Sequence, residues 1–406
     1  MQTNTMLSNS IYEGDNLEVL QNFSDNSIDL IYADPPFYSG KPYELFWKDE
    51  PEKRGFEDRW AGGINTYIEW MEPRLKECYR VLKPNGTFYL HCDSHANYKL
   101  RELLEKIFKN KNSFRNEIIW FYPDSPGRPA HDFPNKHDTI FRYVKYDKPN
   151  GWVFNDKPIR IPILEASIER YKTPRTLGGR DYTGGASAEI GKIPEDVWRM
   201  AVVKQNSEEA MGYPTQKPLK LLERIILASS NKGDMVLDPF CGCGTTLVEA
   251  QKLERNWIGI DFSPTACKLM AKRLKKLFTI DVYIVRGTED MSYVKKLKPF
   301  EFQNWVVVDK FNGNVSKTKS GDFGIDGNTP LIKGGFPIQV KQSPDIGRNV
   351  IDNFETAMRR VNKKKGYIVA YSFGKGAVEE ASRVRNEEGL EIILRTVQDL
   401  LDGKIE

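Results

Sequence analysis

The sequence predicts an α/β protein: a main domain built on a mostly parallel sheet, then a smaller α/β domain towards the C-terminus. Three observations carry that expectation. Short apolar runs rich in β-branched residues alternate with segments of helical period over residues 28–121 and again over 218–285. A basic, helix-breaking stretch from Lys295 to Pro299 separates this region from residues 299–406, which carry strand and helix signals of their own. The length, 406 residues, accommodates two or three domains at roughly 150 residues each.

Taken in order, Ile28 to Ala33 (IDLIYA) is almost wholly apolar and suits a strand buried on both faces. It ends at Asp34-Pro35-Pro36-Phe37, where two prolines forbid further ladder pairing. Tyr67, Met71, Leu75, Cys78 and Leu82 recur at helical spacing up to the turn signal Pro84-Asn85-Gly86. A strand Thr87 to Cys92, a helix Tyr98 to Phe108 and a strand Ile118 to Phe121 follow. From Tyr122 to Met211 the periodicity dissolves into Pro-, Gly- and aromatic-rich sequence, too long for a simple connection. Regularity returns with a helix Pro218 to Ser230, a strand Met235 to Leu237 and a helix Thr245 to Leu253. A strand Trp257 to Ile260, a helix Pro264 to Leu277 and a strand Val282 to Val285 complete the second run.

Composition excludes several classes. With 39% hydrophobic, 29% charged and 12% aromatic residues, the chain is neither disordered, collagenous nor coiled-coil. A formal charge of +4 is too small to indicate nucleic acid by itself. Cys78, Cys92, Cys241, Cys243 and Cys267 form an odd set with no CxxC, and four histidines leave little for a zinc module, so a reducing compartment is expected. The opening MQTNTMLSNS lacks the basic start and apolar core of a signal peptide, and no apolar run approaches about 18 residues, so a cytoplasmic location and no membrane partner are expected.

Asp238-Pro239-Phe240-Cys241-Gly242-Cys243-Gly244-Thr245-Thr246 follows one predicted strand and opens a helix, and Asp261 ends the next strand. Glycines let a ligand approach the backbone, a helix N-terminus offers free N–H groups, and the later acid can accept from ribose hydroxyls, so a nucleoside ligand is implied. The competing reading is a tight turn alone. An NAD fingerprint would need a third glycine where Leu247 stands. Asp34-Pro35-Pro36-Phe37 sits at the carboxyl end of a strand, where open α/β sheets keep their chemistry. A carboxylate there can bind an exocyclic amine of adenine or cytosine and favour a localised lone pair, and Phe37 can stack on a base swung out of the duplex. Alone, the tetrapeptide reads more readily as an ordinary loop with Asp34 as a cap; paired with the nucleoside turn it points to chemistry. His91-Cys92-Asp93-Ser94-His95 invites a metal reading, but its place between strand and helix favours polar capping.

In the C-terminal region, Asp326 precedes a Gly-rich turn and the strand Phe336-Pro337-Ile338-Gln339-Val340-Lys341. Carboxylate, amide and ammonium at this spacing can surround a Mg²⁺ ion and an attacking water, the geometry that cuts phosphodiesters. From spacing alone, a plain β-hairpin with a solvated Lys341 fits as well. The run Arg359, Arg360, Lys363, Lys364, Lys365 could meet phosphate, but a solvated helix face is the commoner meaning of such a run.

With these motifs in place, residues 11 to 285 resemble the DNA amino-methyltransferases of the beta group, which methylate adenine N6 or cytosine N4 with S-adenosylmethionine and include type III modification methyltransferases. DPPF ahead of DPFCGCGTT is the order that carries the resemblance. It implies a Rossmann-like mixed sheet, a catalytic half over residues 1–121, a target-recognition insert over 122–212 and a cofactor-binding half over 213–294. It further implies Asp34, Pro35, Pro36 and Phe37 as catalytic residues. Asp15 of Gly14-Asp15-Asn16-Leu17 would lie near the cofactor's adenine, Lys217 of Thr215-Gln216-Lys217-Pro218 would meet the methionine carboxylate, and Asp261 would hold the ribose. Asp238, Phe240, Gly242, Gly244 and Thr245 would contribute the rest of the cofactor site. Cys243 departs from the family's usual Ser or Gly, with little effect expected. Cytosine C5 chemistry is disfavoured, since no cysteine here follows a proline, and DPPF rather than SPPY tilts the target to adenine. Arg128, Lys136, Arg142, Arg175 and Arg180 in the insert are candidates to meet phosphate.

Residues 299–385 resemble the Mrr-type branch of the PD-D/ExK nucleases, with Asp326, Gln339 and Lys341 matching its pattern, Glu301 a candidate helix-borne acid, and Asp326 and Gln339 as metal ligands. The resemblances together imply an adenine N6 methyltransferase acting on double-stranded DNA and fused to a Mg²⁺-dependent nuclease-like domain over 299–406. The alternative is a cytosine N4 enzyme with an inactive DNA-docking domain. A homodimer and a restriction-system partner are both compatible with the sequence.

Overall fold

The computed structural model describes residues 6–40, 42–46, 53–57, 60, 62–123, 129, 131–145, 148–163, 175–177, 180–182, 191–204, 206–207, 209–211, 215–287, 290–297, 299–316 and 324–405, with backbone alone for 42–46, 53–57, 175–177, 180–182, 265 and 300. The chain divides into two compact units, Met1–Phe262 with Ala266–Val285, and Ser263–Thr265 with Arg286–Glu406.

The first unit is organised by a nine-stranded sheet. Its order is Val197–Arg199, Phe114–Phe121, His137–Val144, Leu82–Cys92, Ile28–Ala33, Met235–Asp238, Asn256–Asp261, Ser10–Glu13 and Tyr283–Arg286. Ile28–Ala33 lies centrally, parallel to both neighbours, and all six of its residues are buried. Side chains alternate between two cores from Leu30 to Ala33, while Ile28, across the register shift, lies on the side of Ile31 and Ala33. Ile28, Ile31 and Ala33 join the helices Ile64–Val81 and Asn97–Phe108 on one face. Leu30 and Tyr32 join Leu219–Ser229, Thr245–Lys252 and Pro264–Phe278 on the other. Helices on both faces account for the continuous apolar strands.

Two elements differ from the sequence-based expectation. His137–Val144 is a strand within the block read as aperiodic, and it runs antiparallel to both Leu82–Cys92 and Phe114–Phe121. Its Asp138, Thr139 and Arg142 are buried, so polar residues with internal partners masked the strand pattern. Pro84-Asn85-Gly86 lies inside the strand Leu82–Cys92, where the pairing with Ile28–Ala33 slips between Ile28 and Leu30. The turn residues there interrupt the ladder, so that Ile28 faces Leu82 while Leu30 already faces Thr87.

The second unit carries a five-stranded sheet in the order Asn314–Val315, Gly327–Asn328, Pro337–Lys341, Lys365–Ala370, Glu391–Thr396. The first pairings are antiparallel and the last two parallel. The helices Arg348–Arg360 and Lys375–Glu388 supply the crossovers and bury Ile351, Phe354, Met358 and Val384 against Ile368. Lys295 to Pro299, expected as a linker, instead spans the end of the helix Met291–Lys296 and the start of Pro299–Asn304, both within this unit.

Candidate active sites

The parallel strands of the first unit bring their carboxyl ends to one edge, where Glu13, Ala33, Asp238 and Asp261 end their strands. Asp34 follows directly. Lys217 Nζ donates to Asp34 Oδ2 at 2.6 Å, and both side chains are largely buried. The other oxygen, Oδ1, is buried with no hydrogen-bond partner. Lys217 was expected at a methionine carboxylate; the structure places its ammonium on Asp34 and 4.9 Å from the Phe37 ring centroid. The Tyr67 hydroxyl pins the tetrapeptide by donating to the Pro36 carbonyl at 2.7 Å.

The Gly-rich turn is built from its own backbone. Gly242 and Gly244 have φ of 48° and 75°, the left-handed region that favours glycine. A Cβ on Gly244 would stand 2.8 Å from Met270 Cγ. Asp261 Oδ2 accepts from the Gly242 amide at 2.8 Å, tying the acid to the turn. Asp238 serves the turn with both oxygens, accepting from the Phe240 amide at 3.1 Å and from Thr246 Oγ1 at 2.5 Å. Burial, helped by the charges of Asp34 and Asp261, pushes its carboxyl up to about 7 against the opposing pull of those hydrogen bonds. Thr245 opens the helix Thr245–Lys252, and the Cys243 thiol is buried 3.4 Å from Thr245 Oγ1. Burial raises the Cys241 and Cys243 thiols, which keeps them protonated and inert.

Asp15 is also taken up locally. It accepts from the Leu17 amide at 2.8 Å as helix cap, and Arg74 binds both of its oxygens at 2.9 and 2.6 Å. Asn16 Nδ2 reaches the Pro239 carbonyl at 2.8 Å, and the Gly14 amide the Asp261 carbonyl at 3.0 Å, so this segment and the Gly-rich turn form one frame. The Trp70 and Phe240 rings lie 6.1 Å apart, with the Arg74 guanidinium 3.9 Å over Trp70.

In the second unit Asp326 Oδ2 accepts from the Val340 amide at 2.7 Å, clamping the acid to the strand Pro337–Lys341. Gln339 and Lys341 share one face of that strand by its period of two. Gln339 Oε1 is buried without a hydrogen bond, and Gly324, whose φ of 89° favours glycine, lies over this amide, with its Cβ position 2.7 Å from Gln339 Nε2. Glu301 lies on the helix Pro299–Asn304. Arg359 of the basic run is engaged by Glu355 and Glu388, and Lys363 Nζ by the Gly334 carbonyl at 2.7 Å.

The DNA methylase family matches residues 28–273, and the restriction endonuclease family matches residues 294–402. This chain belongs to the DNA methylase family. It is 32% identical to the type II methyltransferase M.HpaI of Haemophilus parainfluenzae over 75% of this chain and 89% of that protein. It is 32% identical to the DNA adenine methyltransferase YhdJ of Escherichia coli (strain K12) over 71% and 88% respectively. Among solved structures, the PvuII DNA methyltransferase (cytosine-N4-specific) aligns with 69% of this chain and 96% of its own at 19% identity and a TM-score of 0.45.

Sequence reasoning missed several residues of this methylase. His91 is buried, not a metal ligand: Tyr32 Oη lies 2.7 Å from its Nδ1 and Asp138 Oδ2 lies 3.1 Å from its Nε2. Asp93 and His95 pair with each other at 2.7 Å, and among the described residues no group of three or more His, Cys, Asp or Glu is set to hold a metal. Arg142 is buried in the sheet beside Asn116, which removes it from the candidates for phosphate. Arg128 and the side chains of Arg175 and Arg180 lie outside the described residues. Arg74 and Asp138 were legible only as polar residues; no local motif marks their partners.

Proposed function

We propose that this DNA methylase transfers a methyl group from S-adenosylmethionine to adenine N6 in double-stranded DNA. The observation that carries the reading is Asp34: Lys217 fixes Oδ2, while Oδ1 is buried, unbonded and at the carboxyl ends of the strands. An orphaned acceptor here suits an exocyclic amine, whose N–H it would bind. Phe37 would stack on the extruded base, and Pro35 and Pro36 would stiffen the platform. The relative named as an adenine methyltransferase favours adenine over cytosine.

The residues fit the cofactor: Gly242 and Gly244 bend the turn through left-handed backbone, Asp261 stands at the end of the next strand, and Thr245 begins a helix of eight residues. When bound, S-adenosylmethionine supplies an electrophilic methyl on a positively charged sulfur. Asp261 would bind its ribose, and Gly242, Gly244, Thr245 and Phe240 would line the site. Asp238 and Asp15 would act as supports, since their oxygens are spent on Thr246, Phe240, Arg74 and Leu17. Residues 1–121 and 213–294 would be the two halves of this enzyme, with target recognition in 122–212 outside the strand His137–Val144.

The test is long-read sequencing of DNA from cells expressing the wild type or Asp34→Asn. Adenine methylation at one motif in the first sample and none in the second supports the reading. Modified cytosine, or an active Asp34→Asn, overturns it.

A second reading concerns residues 299–406 and is favoured by Gln339 Oε1. A buried, unbonded amide oxygen beside a clamped carboxylate suits a divalent cation, which Asp326 and Gln339 would hold. Mg²⁺ there would stabilise charge on a phosphodiester and activate water. Lys341, which has no ion-pair partner among the described residues, would stabilise the same charge.

A further inference from the structure

We propose that His91 is a positioning residue for methyl transfer, the fixed seat on which Phe37 lies. The inference rests on the reading of Asp34 and Phe37 above and extends it to a buried chain of residues that no part of that reading uses.

Phe37 stacks on the His91 imidazole with ring centroids 5.5 Å apart and planes inclined by 28°. The imidazole itself is fully buried and held on three sides. Tyr32 Oη is 2.7 Å from Nδ1, Asp138 Oδ2 is 3.1 Å from Nε2, and the Trp120 ring meets it edge-on at 5.5 Å and 86°. Asp138 is fixed in turn by the Tyr122 hydroxyl, which donates to Oδ1 at 2.8 Å. Burial acts to raise the Asp138 carboxyl. The hydrogen bond and charge of His91, the charge of Lys217 and the Tyr122 hydroxyl more than offset it, so the group lies below its ordinary value and stays ionised. An ionised Asp138 accepts from the Nε2 side of the ring, and Tyr32 Oη engages Nδ1. Burial, reinforced by the charges of Asp34, Asp238 and Asp138, keeps the Tyr32 hydroxyl protonated and able to donate.

With both nitrogens engaged, the ring has no freedom to flip or tilt. The chain Tyr32–His91–Asp138–Tyr122 joins three adjacent strands and the residue after a fourth: Ile28–Ala33, Leu82–Cys92, His137–Val144 and Phe114–Phe121. Its product is one fixed plane, inclined by 28° to that of Phe37. An aromatic platform that must receive a mobile base gains from such a seat, because misplacement of a reacting group by about 1 Å can cost about 10²-fold in rate.

The test measures methyl incorporation from tritiated S-adenosylmethionine into unmethylated plasmid DNA by the full chain. Variants are Tyr32→Phe, His91→Gln and Phe37→Leu, singly and with each of the first two joined to Phe37→Leu. Tyr32→Phe is expected to lower kcat/KM for DNA by about 3- to 10-fold and His91→Gln by about 10- to 100-fold, with KM for the cofactor unchanged. In the Phe37→Leu background both are expected to add less than about 2-fold, because residues acting through one another are not additive. Full additivity in that background overturns the proposal. So does a loss shared equally by the KM for cofactor, or one that follows the thermal unfolding temperature, since either marks a structural role only. If His91→Gln does not fold, Tyr32→Phe, which removes one hydroxyl, decides. No incorporation by the wild type would refute the methyltransferase reading itself, an outcome distinct from all of these.

Discussion

Asp238→Asn should change how the first unit's stability depends on pH. The carboxyl is buried to 3% exposure and lies at about 7 in the folded chain, against 3.8 ordinarily. The folded state therefore holds this proton more tightly than the unfolded state. For an acid raised in this way the stabilisation is fully present below pH 3.8, declines as pH rises, and is gone above about 7. The difference, 7 − 3.8 = 3.2, at about 1.36 kcal/mol for each pH step, sets a scale of about 4 kcal/mol. Asparagine has nearly the same shape and no such titration. Its oxygen can accept from the Phe240 amide while the Thr246 hydroxyl turns to accept from its amide nitrogen. Relative to the variant, the wild type should lose about 4 kcal/mol between pH 4 and pH 8. Calorimetric unfolding over that range, with the transitions of the two units resolved, measures the difference. Parallel curves for the two proteins would refute the reasoning, as would a wild type that gains on the variant with rising pH. Binding of S-adenosylmethionine should change little, because both oxygens of Asp238 are spent inside the turn.

Asp261→Ala should weaken S-adenosylmethionine binding by about 1.5–3 kcal/mol for each charge-assisted bond lost, or roughly 10- to 100-fold, measured by titration calorimetry. An unchanged affinity would remove Asp261 from the ribose site. Lys341→Ala should abolish Mg²⁺-dependent cleavage of unmodified plasmid and leave methylation intact. If the wild type also leaves such DNA uncut with Mg²⁺ and cofactor varied, the domain is a DNA-docking element and the nuclease reading fails.

How much of this was legible depended on whether the signal was local. Ile28–Ala33 was placed to the residue because a strand covered on both faces is almost wholly apolar, Asp29 being held by Lys83. The turn around Gly242 and Gly244 was readable because left-handed backbone selects glycine. His137–Val144 was not, because its buried Asp138 and Arg142 imitate a surface pattern until their partners are known. The pair of Asp34 with Lys217 joins positions 183 residues apart, and that of Asp15 with Arg74 joins positions 59 apart. No local periodicity encodes such distances. Lys217 was found as a functional candidate through its motif, and the missing part was its partner.

The charges at the two sites are of opposite character, and the proposed reactions account for that. The strands of the first unit bring Asp34, Asp138, Asp238 and Asp261 towards one edge, where Lys217 is the buried cation on Asp34 and also acts on Asp138. Mutual repulsion is visible in Asp238, pushed up by Asp34 and Asp261 in addition to its burial. An arrangement that works against its own ionisation needs a reason outside folding. Moving a methyl group from a sulfonium to a neutral amine carries positive charge from sulfur to nitrogen, so preorganised carboxylates complement both ends of the path. At the second site Gln339 brings a neutral amide, Asp326 is clamped by the Val340 amide, and Lys341 has no ion-pair partner among the described residues. Phosphodiester cleavage builds negative charge, which a metal ion held by one carboxylate, together with an ammonium, would complement. Replacing Gln339 with glutamate therefore adds charge where the proposed chemistry gains only tighter metal binding. Replacing Lys217 with methionine leaves the Asp34 carboxylate buried without its cation, which costs about 3–5 kcal/mol when a buried pair is broken.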